Sequence, residues 1–235
     1  MANKLWKAFD RLTEQCYLNM IGTYPDASCW HQAFDTLTEI VMNERQDNQN
    51  FARECYLLDE VTDYAYDMGA WLEDYLDELD MRQEYEKLLE SCDWLLQHFD
   101  WQEDSPSDLR FMKSVTLNSL GKTEEMNIFC QQWMEQEPDN IVAASALVYA
   151  KLAQKDLVAA EEIVERFIKE DTSCNEENDI LFTAAEKVYQ MNGNKKKQKQ
   201  IQSAMKEYEE YLENYYNGTD FDEDDLEEEW ELPFC

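Results

Sequence analysis

The chain contains few of the residues that interrupt helices or favour strands. Only 5 glycines and 4 prolines occur among its 235 residues, and β-branched side chains are sparse. Glycine and proline are the weakest helix formers, whereas β-branched residues are enriched in strands. Their scarcity predicts an all-α protein.

Cysteine is present without the spacing that disulfide frameworks or zinc sites require. The 7 cysteines lie singly along the chain, their number is odd, and none forms a C-x-x-C pair. Several fall on apolar helix stripes, where cysteine behaves as a small hydrophobic residue. We therefore predict reduced, buried thiols and, because such thiols persist in a reducing compartment, a cytoplasmic protein.

Motifs for metal, nucleotide or catalytic chemistry are also scarce. The 2 histidines, His31 and His98, have no cysteine or histidine at a metal-ligand spacing, and no glycine-rich phosphate-binding motif occurs. Asp74, Asp77, Glu78 and Asp80 share a helical neighbourhood, which is typical of a solvated acidic face. We predict no catalytic residue, no transition-metal site and no cofactor.

A calcium site is the one metal alternative. Asp220, Asp222 and Asp224 have the alternate spacing that begins an EF-hand loop, and Glu231 stands at its twelfth position. Asp225, however, occupies the sixth position, where the loop needs glycine. A run of acidic residues explains the same spacing.

Long apolar runs are missing as well. No stretch reaches the roughly 18 consecutive apolar residues that a membrane-spanning helix needs. The first residues lack an apolar run of signal-peptide length. We predict neither a membrane span nor a secretory leader.

Acidic residues greatly outnumber basic ones. The chain has 53 Asp and Glu against 20 Lys and Arg, a net charge of −33. The segment from Asn217 to Cys235 holds 9 acidic residues and no Lys or Arg, which leaves −24 on the residues before it. We expect such a chain to repel nucleic acid and anionic membranes and to attract basic partners in a salt-dependent way.

One apolar helix stripe recurs along the chain, with residues spaced i, i+3, i+4, i+7 and i+8. In the middle of the chain it comprises Met126, Phe129, Cys130, Trp133 and Met134. The same offsets recur 34 residues later, at Ala160, Ile163, Val164, Phe167 and Ile168, and 38 residues earlier, at Leu88, Ser91, Cys92, Leu95 and Leu96. A period near 34 residues is typical of solenoids built from helix pairs.

The details resemble the tetratricopeptide repeat. Gly121 stands where that family has its inter-helix glycine, and Met126 occupies the apolar first position of the second helix. Pro138 matches the proline that ends a repeat, and Asp139 or Asn140 can cap the next helix. Glycine suits the turn because it tolerates the left-handed conformation that closes a helix.

The resemblance implies a right-handed α-α superhelix of antiparallel helix pairs, a solenoid of about 11 helices. It covers residues 69–212, most clearly in the two middle units. Residues 153–155 carry no glycine at the corresponding turn, and Thr172 replaces the proline of the next unit. The alternative is a set of ordinary antiparallel helices without repeat kinship.

The chain is predicted to have three segments. Residues 1–68 form an N-terminal cap or one diverged repeat, with helices over about residues 4–19, 28–44 and 51–67. Residues 69–216 form the tetratricopeptide-like repeats. Residues 217–235 form an acidic tail, predicted to be disordered because like charges at that density repel any compact form.

The family resemblance also implies a binding groove lined by the first helix of each pair. Carried over to this sequence, the peptide-binding positions are Phe111, Asn118, Ser145, Tyr149, Thr183 and Lys187. Separately, Lys195, Lys196, Lys197 and Lys199 form the one basic cluster of the chain. This cluster is either the exposed first turn of a helix or a docking site for the acidic tail.

The leading functional prediction is a non-enzymatic module that binds a protein or peptide of basic character. Stacked helix pairs leave a long concave surface, and charge complementarity adds on-rate and selectivity. One alternative is an acidic mimic of nucleic acid that inhibits nucleic-acid-binding proteins. Another is an all-α carbohydrate-active enzyme, which the many aromatic and acidic residues would suit.

Overall fold

The computed structural model describes the backbone of residues 2–218 and the side chains of residues 4–215. This part of the chain is all-α, as predicted, and contains 11 helices and no strand. The helices are α1 (Ala2–Met20), α2 (Ser28–Asp47), α3 (Leu57–Glu60), α4 (Met68–Met81), α5 (Tyr85–His98), α6 (Ser107–Ser119), α7 (Thr123–Gln136), α8 (Ile141–Ala153), α9 (Leu157–Phe167), α10 (Asp179–Met191) and α11 (Lys195–Gly218).

The chain divides into two compact units, Met1–Phe129 and Cys130–Cys235, with the boundary inside α7. Within unit 1, α1 packs on α2, and α5 packs on both α4 and α6. Within unit 2, α8 packs on α9, and α10 packs on α8, α9 and α11. The three segments predicted from the sequence stay a prediction, and residues 219–235 lie outside the described part.

Four helix pairs are joined by the same tight turn: α4–α5, α6–α7, α8–α9 and α10–α11. In each turn the second residue after the first helix has positive φ, namely Gln83 (59°), Gly121 (70°), Lys155 (62°) and Gly193 (75°). The next amide then donates to a carbonyl five residues earlier, as from Lys122 to Leu117 at 2.9 Å and from Asp156 to Lys151 at 2.9 Å. This pattern is the Schellman closure of a helix.

The turn at Lys155 corrects one reading of the sequence. The absence of glycine from residues 153–155 suggested a departure from the repeat pattern. Lys155 nevertheless adopts the conformation that Gly121 and Gly193 adopt, at a cost in backbone strain. Helix pairing therefore dictates the turn even where the local sequence opposes it.

The predicted helix start after Pro138 is confirmed. α7 ends at Gln136, and Asn140 caps α8 by accepting a hydrogen bond from the Ala143 N–H at 3.0 Å. Proline lacks an amide hydrogen and cannot continue a helix, so the chain must begin a new one beyond it. Asp156 caps α9 in the same way, through the Ala159 N–H at 3.1 Å.

The recurring stripe forms the buried face of the second helix in three of these pairs, on α5, α7 and α9. Its most buried members, each at most 2% exposed, are Leu88, Ser91, Cys92, Leu95, Met126, Cys130, Trp133, Ala160 and Val164. The one polar residue of this set, Ser91, has its hydroxyl 3.2 Å from the hydroxyl of Tyr75. The stripe is thus filled even where the sequence places a polar side chain in it.

The helix predicted over residues 51–67 is wrong, because only Leu57–Glu60 is helical there. Arg45 donates hydrogen bonds to the carbonyls of Phe51 and Ala52. These carbonyls therefore accept from a side chain and not from the amides of a helix. Positive φ values further interrupt the segment at Ala52 (39°), Asp63 (51°) and Tyr64 (58°). Contacts from elsewhere in the unit thus override a helical apolar spacing.

Stacked aromatic rings form the centre of unit 1. The ring of Trp71 lies parallel to those of Trp30 and Tyr75, at centroid distances of 6.3 Å and 5.4 Å. Phe9 meets Trp71 edge-on at 5.1 Å, and Phe34 stacks on Tyr75 at 4.8 Å. All five rings are buried. Large rings bury more apolar surface than other side chains, so this cluster joins α1, α2 and α4 firmly.

Unit 2 is built instead on small side chains. The fully buried alanines of α8 and α10 are Ala143, Ala144, Ala146, Ala150, Ala184 and Ala185. Short side chains at a helix contact let the two axes approach closely. This explains why α10 can pack on α8 and α9 at once.

Candidate functional site

An open groove in unit 1 is a candidate site among the described residues. It has a volume of about 720 Å³ and lies among α3, α4, α5, α6 and the loops beside them. Its apolar lining consists of Leu72, Leu76, Leu95, Trp101, Pro106, Leu109 and Met112. Its acidic lining consists of Asp59, Glu73, Asp77, Asp104 and Asp108. We call this site the acidic groove.

The apolar lining forms a floor. Leu72, Leu76 and Leu95 are at most 7% exposed, whereas Trp101 and Met112 are half-buried and reach the surface of the groove. The indole N–H of Trp101 donates to the Leu95 carbonyl at 3.2 Å, which fixes the ring in place. The floor therefore presents a positioned aromatic ring beside aliphatic side chains.

Arg45 holds the two loops that carry Cys55 and Trp101. Its guanidinium donates to the carbonyls of Phe51 at 3.0 Å, Ala52 at 2.6 Å and His98 at 2.5 Å. It also lies 5.1 Å from the ring centroid of Phe99. A planar guanidinium is suited to this task because its donors diverge in a fixed geometry.

A second set of contacts joins the same two loops. Arg53 and Asp100 form a two-point ion pair, Nε to Oδ2 at 3.0 Å and Nη2 to Oδ1 at 2.5 Å. Glu54 is 7% exposed, and both its carboxylate oxygens accept from the Gln102 N–H at 3.1 Å. The wall of the groove is thus tied by charged hydrogen bonds, which are stronger than neutral ones.

Asp59 has a structural role at the edge of the groove. Its Oδ1 accepts from the Met68 N–H at 2.7 Å, and its Oδ2 accepts from the Gly69 N–H at 3.1 Å. These amides are at the first turn of α4 and have no partner within the helix. A carboxylate at that position is also stabilised by the helix dipole.

The other four carboxylates of the acidic groove are exposed and make no ion pair with the described part of the chain. They are Glu73, Asp77, Asp104 and Asp108. Three cations near this region are engaged elsewhere: Arg53 pairs with Asp100, Arg45 donates to backbone carbonyls, and Lys113 pairs with Asp93. The rim therefore carries unneutralised negative charge beside an apolar floor.

The pKa of the Cys55 thiol is shifted by this environment. Burial, followed by the charges of the nearby carboxylates of Asp59 and Asp104, raises the pKa of Cys55 to about 12. A thiol in these surroundings stays protonated at neutral pH and is a poor nucleophile. The groove thus offers shape and charge for binding rather than an activated cysteine.

The six positions implied by the family resemblance fall in both units. Phe111 and Asn118 lie on α6 in unit 1, where Phe111 is half-buried and Asn118 is exposed. Neither lines the acidic groove.

The other four implied positions lie in unit 2, on α8 and α10. Ser145 is 0% exposed, and its hydroxyl donates to the Ile141 carbonyl at 2.9 Å, so its side chain is closed off from any peptide. Tyr149 is half-buried, and burial raises its pKa. Thr183 and Lys187 are exposed. Apart from the buried Ser145, these positions stay a prediction.

The basic cluster at the start of α11 is only partly available. Lys197 pairs with Glu161 at 2.7 Å and with Glu165, and the hydrogen bonds that it donates to these two carboxylates raise the pKa of Lys197. Lys195, Lys196 and Lys199 are exposed and form no ion pair within the described residues. The cluster therefore carries three unpaired cations instead of four.

Sequence reasoning missed the acidic groove. The segment of α4 that contributes to it was interpreted as a solvated acidic face. A signal was present in the sequence, because Glu73 and Asp77 each directly follow an apolar residue, Leu72 and Leu76, at helical spacing. That pattern places a carboxylate edge beside an apolar stripe on one helix.

Both histidines contact neighbouring groups of the protein. His31 Nε2 lies 2.7 Å from Glu84 Oε2, and His98 Nδ1 lies 2.8 Å from the Trp94 carbonyl oxygen. Within residues 4–215 no group of three or more His, Cys, Asp or Glu side chains could hold a metal ion. The EF-hand-like aspartates at 220, 222 and 224 lie outside the described residues.

The cysteines of the described part are mostly buried, as predicted. Five cysteines, Cys16, Cys29, Cys92, Cys130 and Cys174, are buried, Cys55 is half-buried, and none of the six is in a disulfide. Among the described helices, none combines the length and apolar character that crossing a bilayer requires.

Comparison with known proteins adds no relative. No protein-family model, curated protein or solved structure matches this chain.

Proposed function

We propose that this protein is a non-enzymatic binding module and that the acidic groove of unit 1 receives a basic segment of a partner protein. The observation that carries the proposal is the combination of an apolar floor with four unpaired carboxylates at its rim. Apolar side chains of a partner would fill the floor, and Lys or Arg beside them would meet the rim.

The charge of the whole chain supports the same class of partner. A net charge of −33 attracts basic proteins over distances of about a Debye length and repels acidic ones. Binding by a rim of exposed charges should be fast and should weaken as salt increases. The floor supplies the salt-independent part, because burying apolar surface is nearly unaffected by screening.

The size of the groove limits what enters it. A volume of about 720 Å³ accommodates a few side chains, which is typical of a site that recognises a short peptide segment. Trp101 is the best anchor, since aromatic residues dominate the energetics of protein interfaces. We therefore expect a partner segment with one or two apolar residues flanked by Lys or Arg.

Fluorescence anisotropy with short labelled peptides tests the proposal. One peptide carries Leu and Met between lysines, and a second carries glutamates in place of the lysines. The groove variant carries Glu73→Gln, Asp77→Asn, Asp104→Asn and Asp108→Asn. The control variant neutralises four exposed carboxylates of unit 2, through Glu162→Gln, Asp171→Asn, Glu176→Gln and Glu177→Gln.

Because the groove variant lacks four favourable charge contacts, it should bind the basic peptide about tenfold more weakly than the wild type does. The control variant changes the net charge equally and should bind nearly as the wild type does. Equal losses in both variants, or equal binding of the acidic peptide, would contradict the proposal. A mimic of nucleic acid should compete with duplex DNA for a DNA-binding protein, whereas a groove binder should not.

We further infer that the four helix pairs are diverged tetratricopeptide-like repeats. The support is the common Schellman turn at Gln83, Gly121, Lys155 and Gly193, spaced by 38, 34 and 38 residues. The family's concave groove then makes a competing prediction for the same peptide assay. Ala substitutions at Asn118 and Tyr149 would weaken binding if that groove, and not the acidic groove, held the peptide.

A further inference from the structure

A second groove lies in unit 2, beside the basic cluster. It has a volume of about 560 Å³ and lies among α10, the start of α11 and the segment that follows α9. Its apolar lining consists of Ile168, Phe182, Tyr189, Ile201 and Ala204. Phe182, Tyr189 and Ile201 are at most 6% exposed, so they form a floor and not a patch on an open face.

The rim of this groove is more basic than the rest of the chain. Lys169, Lys196 and Lys197 line it, and Lys195 and Lys199 flank it on α11. Glu165 and Glu170 also line it, but Glu165 already accepts from Lys197. The opposite charges of Lys169 and Glu170 offset each other, so the net positive charge at the mouth is that of Lys195, Lys196 and Lys199.

The position of these lysines is electrostatically unfavourable without an anion. They occupy the first turns of α11, where the helix dipole disfavours cations, and that first turn contains no acidic residue. An anionic group placed there would relieve the repulsion between the lysines and the dipole. The attraction between this anionic group and the lysines must exceed its repulsion by the chain's net charge of −33.

We propose that residues 226–235 of the same chain occupy this groove. Within this segment Leu226, Trp230, Leu232 and Phe234 match the apolar floor. Glu227, Glu228, Glu229 and Glu231 match the exposed lysines. The segment thus complements the groove in both apolar character and charge.

The length of the chain permits this contact. α11 ends at Gly218, and Ala204 lies 14 residues before that end, which corresponds to about 21 Å along the helix axis. Extended chain covers about 3.3 Å per residue, so about seven residues, 219–225, can return along α11 to the groove. Residues 226–235 are then the ones within reach of Lys195, Lys196 and Lys199.

Tethering makes even a weak contact sufficient. A segment linked by a short connection has an effective concentration on the order of millimolar. A groove with millimolar affinity for the free segment is therefore about half occupied by the attached one. A separate acidic protein would need far higher affinity, which is why we assign the site to the chain itself.

Amide spectra of the full-length chain test the contact. The variant Trp230→Ala, Leu232→Ala, Phe234→Ala removes the apolar side chains from the segment. If the segment occupies the groove, this variant should shift the amide resonances of Phe182, Ile201 and Ala204. Raising the salt concentration should move the wild-type resonances towards those of the variant, because screening weakens the lysine contacts. Unchanged amides at all three residues would overturn the proposal.

Charge exchange separates direct contact from a change in folding. The segment should be released by the triple substitution Lys195→Glu, Lys196→Glu, Lys199→Glu. The contact should be restored when this variant also carries Glu227→Lys, Glu228→Lys, Glu229→Lys. The control Lys4→Glu, Lys7→Glu, Lys122→Glu alters the same net charge in unit 1 and should have no effect. Failure of the exchange to restore the wild-type amide pattern would contradict the contact. Shifts that depend on protein concentration would assign the occupant to a second copy and overturn it also.

Discussion

Lys155 adopts, at the turn between α8 and α9, the left-handed backbone conformation that Gly121 adopts between α6 and α7, with φ values of 62° and 70°. A residue with a Cβ atom is strained there by about 1 kcal/mol or more, whereas glycine is not. The side chain of Lys155 is exposed and has no ion-pair partner within residues 4–215. The residue type at this turn therefore opposes the fold.

We expect Lys155→Gly to stabilise unit 2 by about 0.5–1 kcal/mol, because it removes the strain of a Cβ in the left-handed region. Urea unfolding followed by circular dichroism measures the change. Lys155→Ala is the matched control: it removes the same side chain but keeps the strain, so its stability should be nearly that of the wild type.

Gly121→Ala should have the opposite effect and destabilise unit 1 by about 1 kcal/mol. A Cβ at Gly121 would meet no atom within 4 Å, so the loss reports backbone strain and not a clash. A stable Gly121→Ala protein would show that the shared turn contributes nothing to stability.

Arg45→Ala should destabilise unit 1 by about 2 kcal/mol, because three backbone carbonyls lose a charged donor. The substitution should also weaken peptide binding, since Arg45 positions the loops beside the acidic groove. Arg45→Lys keeps the charge but not the forked geometry, and we expect an intermediate stability.

Arg53→Ala is the comparison for Arg45. Its ion pair with Asp100 lies at the surface, with side chains 46% and 33% exposed, so its loss should be much smaller. Equal effects of the two substitutions on the urea midpoint would indicate that the carbonyl contacts of Arg45 contribute no more stability than the surface ion pair of Arg53.

Asp59→Ala should destabilise unit 1 by about 1 kcal/mol, because the Gly69 amide at the start of α4 loses its acceptor. The Met68 amide loses one of two acceptors and keeps the Tyr66 carbonyl at 2.9 Å. Asp59→Asn keeps an acceptor oxygen but loses the charge, and should recover part of the loss. Hydrogen exchange checks the mechanism: the Gly69 amide should exchange faster in Asp59→Ala than in the wild type, and the Met68 amide should change less. Unchanged exchange would show that the carboxylate is not their partner in solution.

Unit 1 should lose stability at alkaline pH because its buried thiols resist ionisation. Burial, followed by the charge of Asp93, raises the pKa of Cys92 from 9.0 to about 12. The unfolded chain releases this proton near its ordinary pKa while the folded chain retains it. The contribution is therefore fully present below pH 9 and is lost progressively as pH rises towards 12.

Cys92→Ala should make the pH dependence between pH 9 and 12 shallower by up to about 1.4 kcal/mol per pH unit, the contribution of one proton. Urea titrations at several pH values measure this slope. Leu88→Ala creates a cavity on the same buried face of α5 without removing a titratable group. It should lower stability but leave the slope unchanged, and equal slopes for all three proteins would contradict the prediction.

The sequence predicted those features of the fold that depend on neighbouring residues. Gly121, Gly193 and the segment from Pro138 to Asn140 indicated helix ends because turn and cap chemistry are local. The helix predicted over residues 51–67 failed because its carbonyls bond to Arg45 and to the amide of Asp100, which are distant in sequence. The spacing of neighbouring residues does not predict such long-range contacts.

The acidic groove was beyond prediction for the same reason. Its lining extends from Cys55 to Met112 and comes together only when α3, α4, α5 and α6 pack. Leu72 beside Glu73 indicated an apolar stripe with a charged edge. Nothing in the sequence indicated that Trp101, with a positive φ of 53° in a loop, would complete the floor.

The parallel rings of Trp30 and Trp71 have an optical consequence. Indoles stacked 6.3 Å apart in a buried site should couple excitonically and give a strong near-ultraviolet circular dichroism band. Five of the 7 tryptophans, at positions 6, 30, 71, 94 and 101, belong to unit 1. This band therefore follows the melting of unit 1, while far-ultraviolet ellipticity follows both units, so two spectra from one sample can separate their transitions.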